Sequence, residues 1–272
     1  MNFNLESGKM ATIIYPSPIF GPIKSRRLGI SLGINLMPGD GKWCSFDCLY
    51  CECGLNKDHK PTLPLPTVEE VKEKLEQKLM EMKTEGQGLD VITFSGNGEP
   101  TMHPMFSKIV DIVLSLRNKY YPDAKVTVLS NSTQILRKDV FDTLMRVDNA
   151  LMKLDTVSEE YIRLVDQPSG KYNVEDIIAE LAKMNGHCII QTMFMRGCIT
   201  DKDGEIISID NCSDKYIYPY IEALKKINPR QVMIYTLDRE WPTKGLEKAS
   251  RETMDEIAEK IRKAGFVTSV SY

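Results

Sequence analysis

Histidine is scarce in this chain of 272 residues: there are three, at His59, His103 and His187, too dispersed to pair up as zinc ligands do. Long apolar runs are missing as well. No stretch reaches the ~18 consecutive apolar residues that a bilayer-crossing helix requires, and residues 1–11 lack the apolar core of a secretory signal. The expected location is therefore the cytoplasm, with no membrane partner. Lys and Arg number 35 against 38 Asp and Glu, a net charge of −3, so the basic excess that marks a broad nucleic-acid surface is absent. No internal repeat, low-complexity tract or linker interrupts the chain, and its length suits a single domain over 1–272 built from alternating β and α elements. Cysteine is the informative exception. The chain has seven, an odd number that speaks against a disulfide framework and for a reducing interior, and none lies before position 44.

Three of the seven stand together in the run Trp43-Cys44-Ser45-Phe46-Asp47-Cys48-Leu49-Tyr50-Cys51. Thiolates suit iron–sulfur clusters, and a compact loop can carry three sulfurs to three corners of a [4Fe–4S] cube while leaving the fourth iron without a protein ligand. Zinc prefers four ligands in two pairs, and no second such pair is present. The C-x3-C-x2-C spacing, with aromatic Tyr50 ahead of the last cysteine, resembles the radical S-adenosylmethionine (radical SAM) superfamily. The resemblance implies that Cys44, Cys48 and Cys51 hold the cluster and that the open iron takes the amino and carboxylate groups of SAM, with Tyr50 beside the cofactor. It further implies that an electron from a flavodoxin- or ferredoxin-like donor cleaves the sulfonium to a 5′-deoxyadenosyl radical, which abstracts a substrate hydrogen.

Downstream, helical and extended patterns alternate. Thr67 caps an expected helix through Val71, Leu75, Leu79 and Met82, with Glu69 and Glu70 in its first turn. Apolar strands are expected at 30–37, 91–95, 125–130, 150–155, 188–195, 231–237 and 266–270, with helices at 104–120, 138–146, 174–185, 214–227 and 250–264. This alternation implies an α/β fold with a parallel sheet and helices outside it. The resemblance implies an incomplete (β/α)6 barrel over residues 18–270, with its chemistry at the carboxyl ends of the strands.

Polar motifs fall at those ends. Gly96-Asn97-Gly98-Glu99-Pro100-Thr101 resembles the superfamily's GE motif, which implies that Gly96, Gly98 and Glu99 meet the amino group of SAM, the glycines admitting a close approach. A plain Gly-Pro turn is the alternative. Ser130-Asn131-Ser132 resembles the contacts to the SAM ribose and assigns Ser130 and Asn131 to it, although the same residues favour a helix cap. Two-residue alternation puts Lys153 and Asp155 on one face of strand 150–155. Such an ion pair suits the SAM carboxylate or a substrate, and equally a structural salt bridge. Arg196 follows the fifth strand and Asp238-Arg239 the sixth; an arginine fork fits carboxylate or phosphate, so Arg196, Arg239 and Lys153 are the candidate substrate contacts. Met193 and Met195 read as core.

The run from Pro22 to Asn35, with the cysteine loop and Cys51-Glu52-Cys53-Gly54, resembles the branch of wyosine-type tRNA-modifying synthases and their uncharacterised bacterial relatives. Tricyclic synthases of that branch bind a second cluster through upstream cysteines, which this chain lacks. Arg26 and Arg27 are placed to meet an anionic substrate or simply solvent. Cys188 suits a buried strand edge, and Cys53, Cys198 and Cys212 compose a conceivable second metal site, the latter two bracketing an acidic insertion. His103 is placed to cap the helix behind it. The expected function is radical modification of an unidentified anionic substrate, an RNA base, a peptide or a small metabolite. A glycyl-radical-enzyme activating protein and a non-catalytic Fe–S electron carrier are the competing classes.

Overall fold

The computed structural model describes residues 12–25, 28–201, 203–238 and 241–272. Two compact units divide the chain: Ile14–Ser45 with Asn56–Leu151 forms the first, and Phe46–Leu55 with Met152–Tyr272, together with the described residues before Ile14, forms the second.

In the first unit, β1 (Ile19–Ser25) and β2 (Gly29–Ile34) make an antiparallel hairpin in which Phe20 lies opposite Gly33. A Cβ on Gly33 would come within 2.1 Å of the Phe20 ring, so glycine is what lets the ring lie against the strand. Parallel pairing then joins β2 to β3 (Val91–Phe94) and β3 to β4 (Lys125–Ser130), and β5 (Asn149–Lys153) follows in the order β1-β2-β3-β4-β5. All four residues of β3 are buried, the signature of a strand covered on both faces. Helix α1 (Val68–Thr84) starts from a reciprocal capping box: the Thr67 hydroxyl accepts from the Glu70 amide, and the Glu70 carboxylate accepts from the Thr67 amide. Its buried Val71, Leu75, Leu79 and Met82 fall on one face, and each contributes about 1.5–3 kcal/mol by leaving water. Helices α2 (Phe106–Tyr120) and α3 (Lys138–Leu144) complete the unit, α2 packing against α1.

In the second unit, the last residues of β5 lead to β6 (Cys188–Met193), and the order β5-β6-β9-β11 continues with β9 (Gln231–Tyr235) and β11 (Thr268–Ser271). The pairings β6 to β9 and β9 to β11 are parallel. Helix α4 (Glu159–Tyr161) runs directly into a π-helical turn, Ile162–Asp166. Helices α5 (Val174–Lys183), α6 (Asp214–Ile227) and α7 (Arg251–Lys263) follow. A separate antiparallel sheet has the order β10-β7-β8, from Leu246–Lys248, Met195–Thr200 and Ile206–Asp210. Leu49, Tyr50, Tyr161, Val165 and Met195 share one apolar cluster here. Among the described residues, no helix is long and apolar enough to cross a membrane.

The expected strands and helices are present with shifted ends, and three differences matter. The strand expected at 30–37 is the second arm of a hairpin whose first arm, β1, lies in a stretch rich in proline and glycine. Strand 188–195 stops at Met193: the Phe194 amide still donates to Tyr235 O of β9, but the Met195 amide turns to Asn211 Oδ1 and opens β7. Arg196 is thus not the end of a parallel strand but the second residue of an antiparallel hairpin, and the insertion between Cys198 and Cys212 is that hairpin's turn and return strand. Finally, β5 ends at Lys153, leaving Asp155 just beyond it.

Candidate functional site

Cys44 belongs to the first unit, Cys48 and Cys51 to the second. None of the seven cysteines is in a disulfide; these three are half-buried, whereas Cys53, Cys188 and Cys212 are buried and Cys198 is exposed.

In the first unit, the approach to Cys44 is fixed by the turn after β3. The Trp43 amide donates to Asn97 O at 2.9 Å, and Trp43 and Gly98 form a parallel bridge. Gly98 has φ +153°, and a Cβ there would stand 1.8 Å from the Trp43 carbonyl oxygen, so only glycine admits the loop. The close approach expected for the cofactor is made here by the chain itself. Two buried amides brace the turn. Asn97 Nδ2 donates to Tyr15 O and Pro38 O, both at 2.9 Å, and Asn35 Oδ1 accepts from the amides of Asn97 (3.2 Å) and Met37 (3.0 Å). Neither asparagine belongs to a motif that singles it out, although Asn97 sits inside the GE run.

Glu99 is 1% exposed. Its Oε1 accepts from the Thr101 amide at 3.1 Å and its Oε2 from the Asn131 amide at 2.6 Å, tying the turn after β3 to the turn after β4. Burial raises its pKa against the pull of these donors. Ser130 Oγ accepts from the Ser132 amide at 3.1 Å. The Asn131 side chain reaches the cysteine loop: Nδ2 lies 3.0 Å from Ser45 Oγ and 3.5 Å from Cys44 Sγ. Read from sequence as a ribose contact or a cap, Asn131 stands in the structure on the first cysteine. His103 Nε2 donates to Pro66 O (3.0 Å) and Nδ1 accepts the Met105 amide (3.1 Å), so the ring is neutral with its proton on Nε2; it braces the residue before α2, whose first turn has no side-chain cap, and burial lowers its pKa.

In the second unit, the segment from Phe46 to Cys51 lies along the π-helical turn. The Asp47 amide donates to Asp166 O (3.0 Å) and Gln167 O (3.1 Å), and the Leu49 amide to Val165 O (2.9 Å). Beneath it is a buried polar cluster. Lys153 Nζ pairs with Asp155 and, at 2.9 Å, with Asp166, and both Lys153 and Asp155 bond the Tyr50 hydroxyl. Asp155 Oδ1 also accepts the Met193 amide at 2.9 Å. Burial opposes the charge on Lys153, yet the two carboxylates outweigh it and hold its pKa well above the usual lysine range. Burial, with Asp155 adjacent, pushes the Tyr50 phenol well above its usual value, and burial pushes Asp166 up to about 6 against the pull of Lys153. The Tyr161 hydroxyl is buried with no hydrogen-bond partner among the described residues. Sequence reasoning found Lys153 and Asp155 by their spacing and missed Asp166, which no motif marks.

Arg196 is 47% exposed, with Nε 3.7 Å from Asp210 Oδ1. Arg239, Arg26 and Arg27 lie outside the described residues. Cys188 and Cys212 have thiols pushed up to about 12 by burial, the behaviour of small core residues rather than ligands. Among the described residues, no three His, Cys, Asp or Glu side chains gather round one point as a mononuclear ion needs. A cube asks instead for thiolates at separate corners, and three half-buried thiols outside any disulfide, on one eight-residue stretch, fit it.

Comparison with known proteins supplies the family. The chain is 27% identical over 268 residues to a protein called GTPase Obg of Brachyspira hyodysenteriae, which covers 97% of this chain and 35% of that one. It is 30% identical over 223 residues to a UPF0026 protein of Methanocaldococcus jannaschii, covering 80% and 62%. The chain therefore spans less than two thirds of either relative. In structure it resembles a radical SAM methyltransferase from Sphaerobacter thermophilus, with TM-score 0.64, 16% identity, and coverage of 89% of this chain and 66% of that one, which shows the partial radical SAM barrel as its fold. The model of the Radical SAM superfamily matches residues 40–208. The chain belongs to the radical SAM superfamily, whose members use a [4Fe–4S] cluster and S-adenosylmethionine.

Proposed function

We propose that the protein reductively cleaves S-adenosylmethionine at a cluster held by Cys44, Cys48 and Cys51 and directs the resulting radical chemistry onto an anionic substrate. When bound, the cluster supplies the single electron that breaks the sulfonium bond. The chain's own residues hold and orient. Asn131 steadies Cys44 and Ser45 through its amide, and Glu99, by gripping the Asn131 backbone, keeps the turns after β3 and β4 in register. Gly96, Gly98, Glu99, Ser130 and Asn131 compose the proposed wall for the amino and ribose parts of SAM, and Tyr50 with Asp155 a second polar wall. The observation that carries the proposal is the set of half-buried thiols at this spacing, with an amide donor already on one of them.

For the substrate, Lys153 has its charge committed to two carboxylates, so its part is internal to the cluster of polar groups. The half-exposed Arg196 supports an anionic substrate, with Arg239 the second proposed contact. A flavodoxin- or ferredoxin-like protein is the proposed electron donor. The test is anaerobic reconstitution followed by incubation with SAM and dithionite. Formation of 5′-deoxyadenosine is expected, and a protein that carries about four irons yet releases none of this product contradicts the proposal.

A further inference from the structure

The charged groups under the cysteine loop converge on its middle cysteine. Asp166 holds the loop through its backbone carbonyl, which accepts the Asp47 amide at 3.0 Å, and its buried carboxylate lies beside the Cys48 side chain. Lys153 completes the arrangement. Its ammonium lies 2.9 Å from Asp166 Oδ1, 4.8 Å from the centroid of the Tyr50 ring and 5.9 Å from that of Phe46. Phe46 and Tyr50 stand two residues before and two after Cys48 in the chain, so the cation sits against two rings of the segment that carries that thiol. With the Lys153 side chain 14% exposed against 2% for Asp166, the pair lies in the protein interior, where Coulomb interactions are stronger than in water.

We propose that the Lys153–Asp166 ion pair is a positioning device for Cys48 and that its opposite charges set the electron affinity of the cluster bound there. This rests on the assignment of Cys48 as a ligand. Reduction adds negative charge to a cluster already surrounded by thiolates. A nearby ammonium favours that charge and a nearby carboxylate opposes it. The π-helical turn gives the arrangement its geometry, because it presents the carbonyls of Val165 and Asp166 to the loop while letting the Asp166 side chain reach both Cys48 and Lys153.

The experiment is a redox titration of the reconstituted cluster, followed by electron paramagnetic resonance, in the wild type, Lys153→Arg, Lys153→Met and Asp166→Asn. Lys153→Met is expected to shift the midpoint to more negative potential and Asp166→Asn to more positive potential, with Lys153→Arg close to wild type. Loss of packing alone would not move the two variants in opposite directions. Lys153→Met strands two buried carboxylates and risks misfolding, so Lys153→Met/Asp166→Asn is included, with an expected potential between those of the single variants. Shifts of the same sign, or no shift in folded, iron-loaded variants, overturn the proposal. A wild type that binds no cluster would instead refute the ligand assignment.

Discussion

Gly98→Ala should both destabilise the protein and empty its metal site. The added Cβ would stand 1.8 Å from the Trp43 carbonyl oxygen, 2.5 Å from the Trp43 carbonyl carbon and 3.2 Å from the Cys44 amide nitrogen. These are backbone atoms and cannot rotate away. Reaching ordinary contact near 3.4 Å requires the loop to retreat by about 1.6 Å, and that loop carries Cys44. Overpacking of this kind costs about 1–3 kcal/mol, and an alanine at positive φ adds roughly 1–2 kcal/mol. A total near ~3 kcal/mol lowers the melting temperature by about 6–12 °C. Gly86→Ala is the control: its φ is +68°, but nothing lies within 4 Å of where the added methyl would sit, so only the conformational cost of about 1 kcal/mol applies. Thermal melting of the apoprotein and iron content after reconstitution read the two effects. A Gly98→Ala protein that melts with Gly86→Ala and binds full iron would refute the claim that this glycine seats the cysteine loop.

Glu99→Gln places an amide where two N–H donors converge, and is expected to cost about 1–3 kcal/mol in a denaturant titration and to weaken SAM binding in calorimetry. His103 has a folded pKa below its ordinary 6.5, so the stability it contributes is present above that value and lost as pH falls through the folded pKa; His103→Gln, followed by urea midpoints of the apoprotein, should flatten that acid limb. In native protein, maleimide should label exposed Cys198 readily and leave buried Cys188 and Cys212 untouched, as read by mass spectrometry of peptides.

Much of this was legible in the sequence because the signals are local. The cysteine spacing, the all-apolar β3 and the Thr67–Glu70 capping box each state their geometry within a few residues. Lys153 and Asp155 were legible as a pair because strand alternation brings their side chains together even though β5 stops at Lys153. What escaped depends on contacts far apart in the chain. Asp166 is brought to Cys48 by a π-helical turn that no periodicity announces, and Asn35 and Asn211 brace backbone turns distant in sequence. The strands β7 and β8 are short and joined by an acidic turn, so they read as an insertion, and Arg196 was misplaced with them.

The central claim, three protein thiolates and one iron left open to SAM, is tested most directly by Mössbauer spectroscopy of protein reconstituted with isotopically enriched iron, recorded before and after addition of SAM. The account predicts a cluster of about four irons in which one iron changes its isomer shift when SAM is added, and no cluster in Cys44→Ala, Cys48→Ala or Cys51→Ala. A spectrum that SAM leaves unchanged, or a full cluster in any of the three variants, would contradict it.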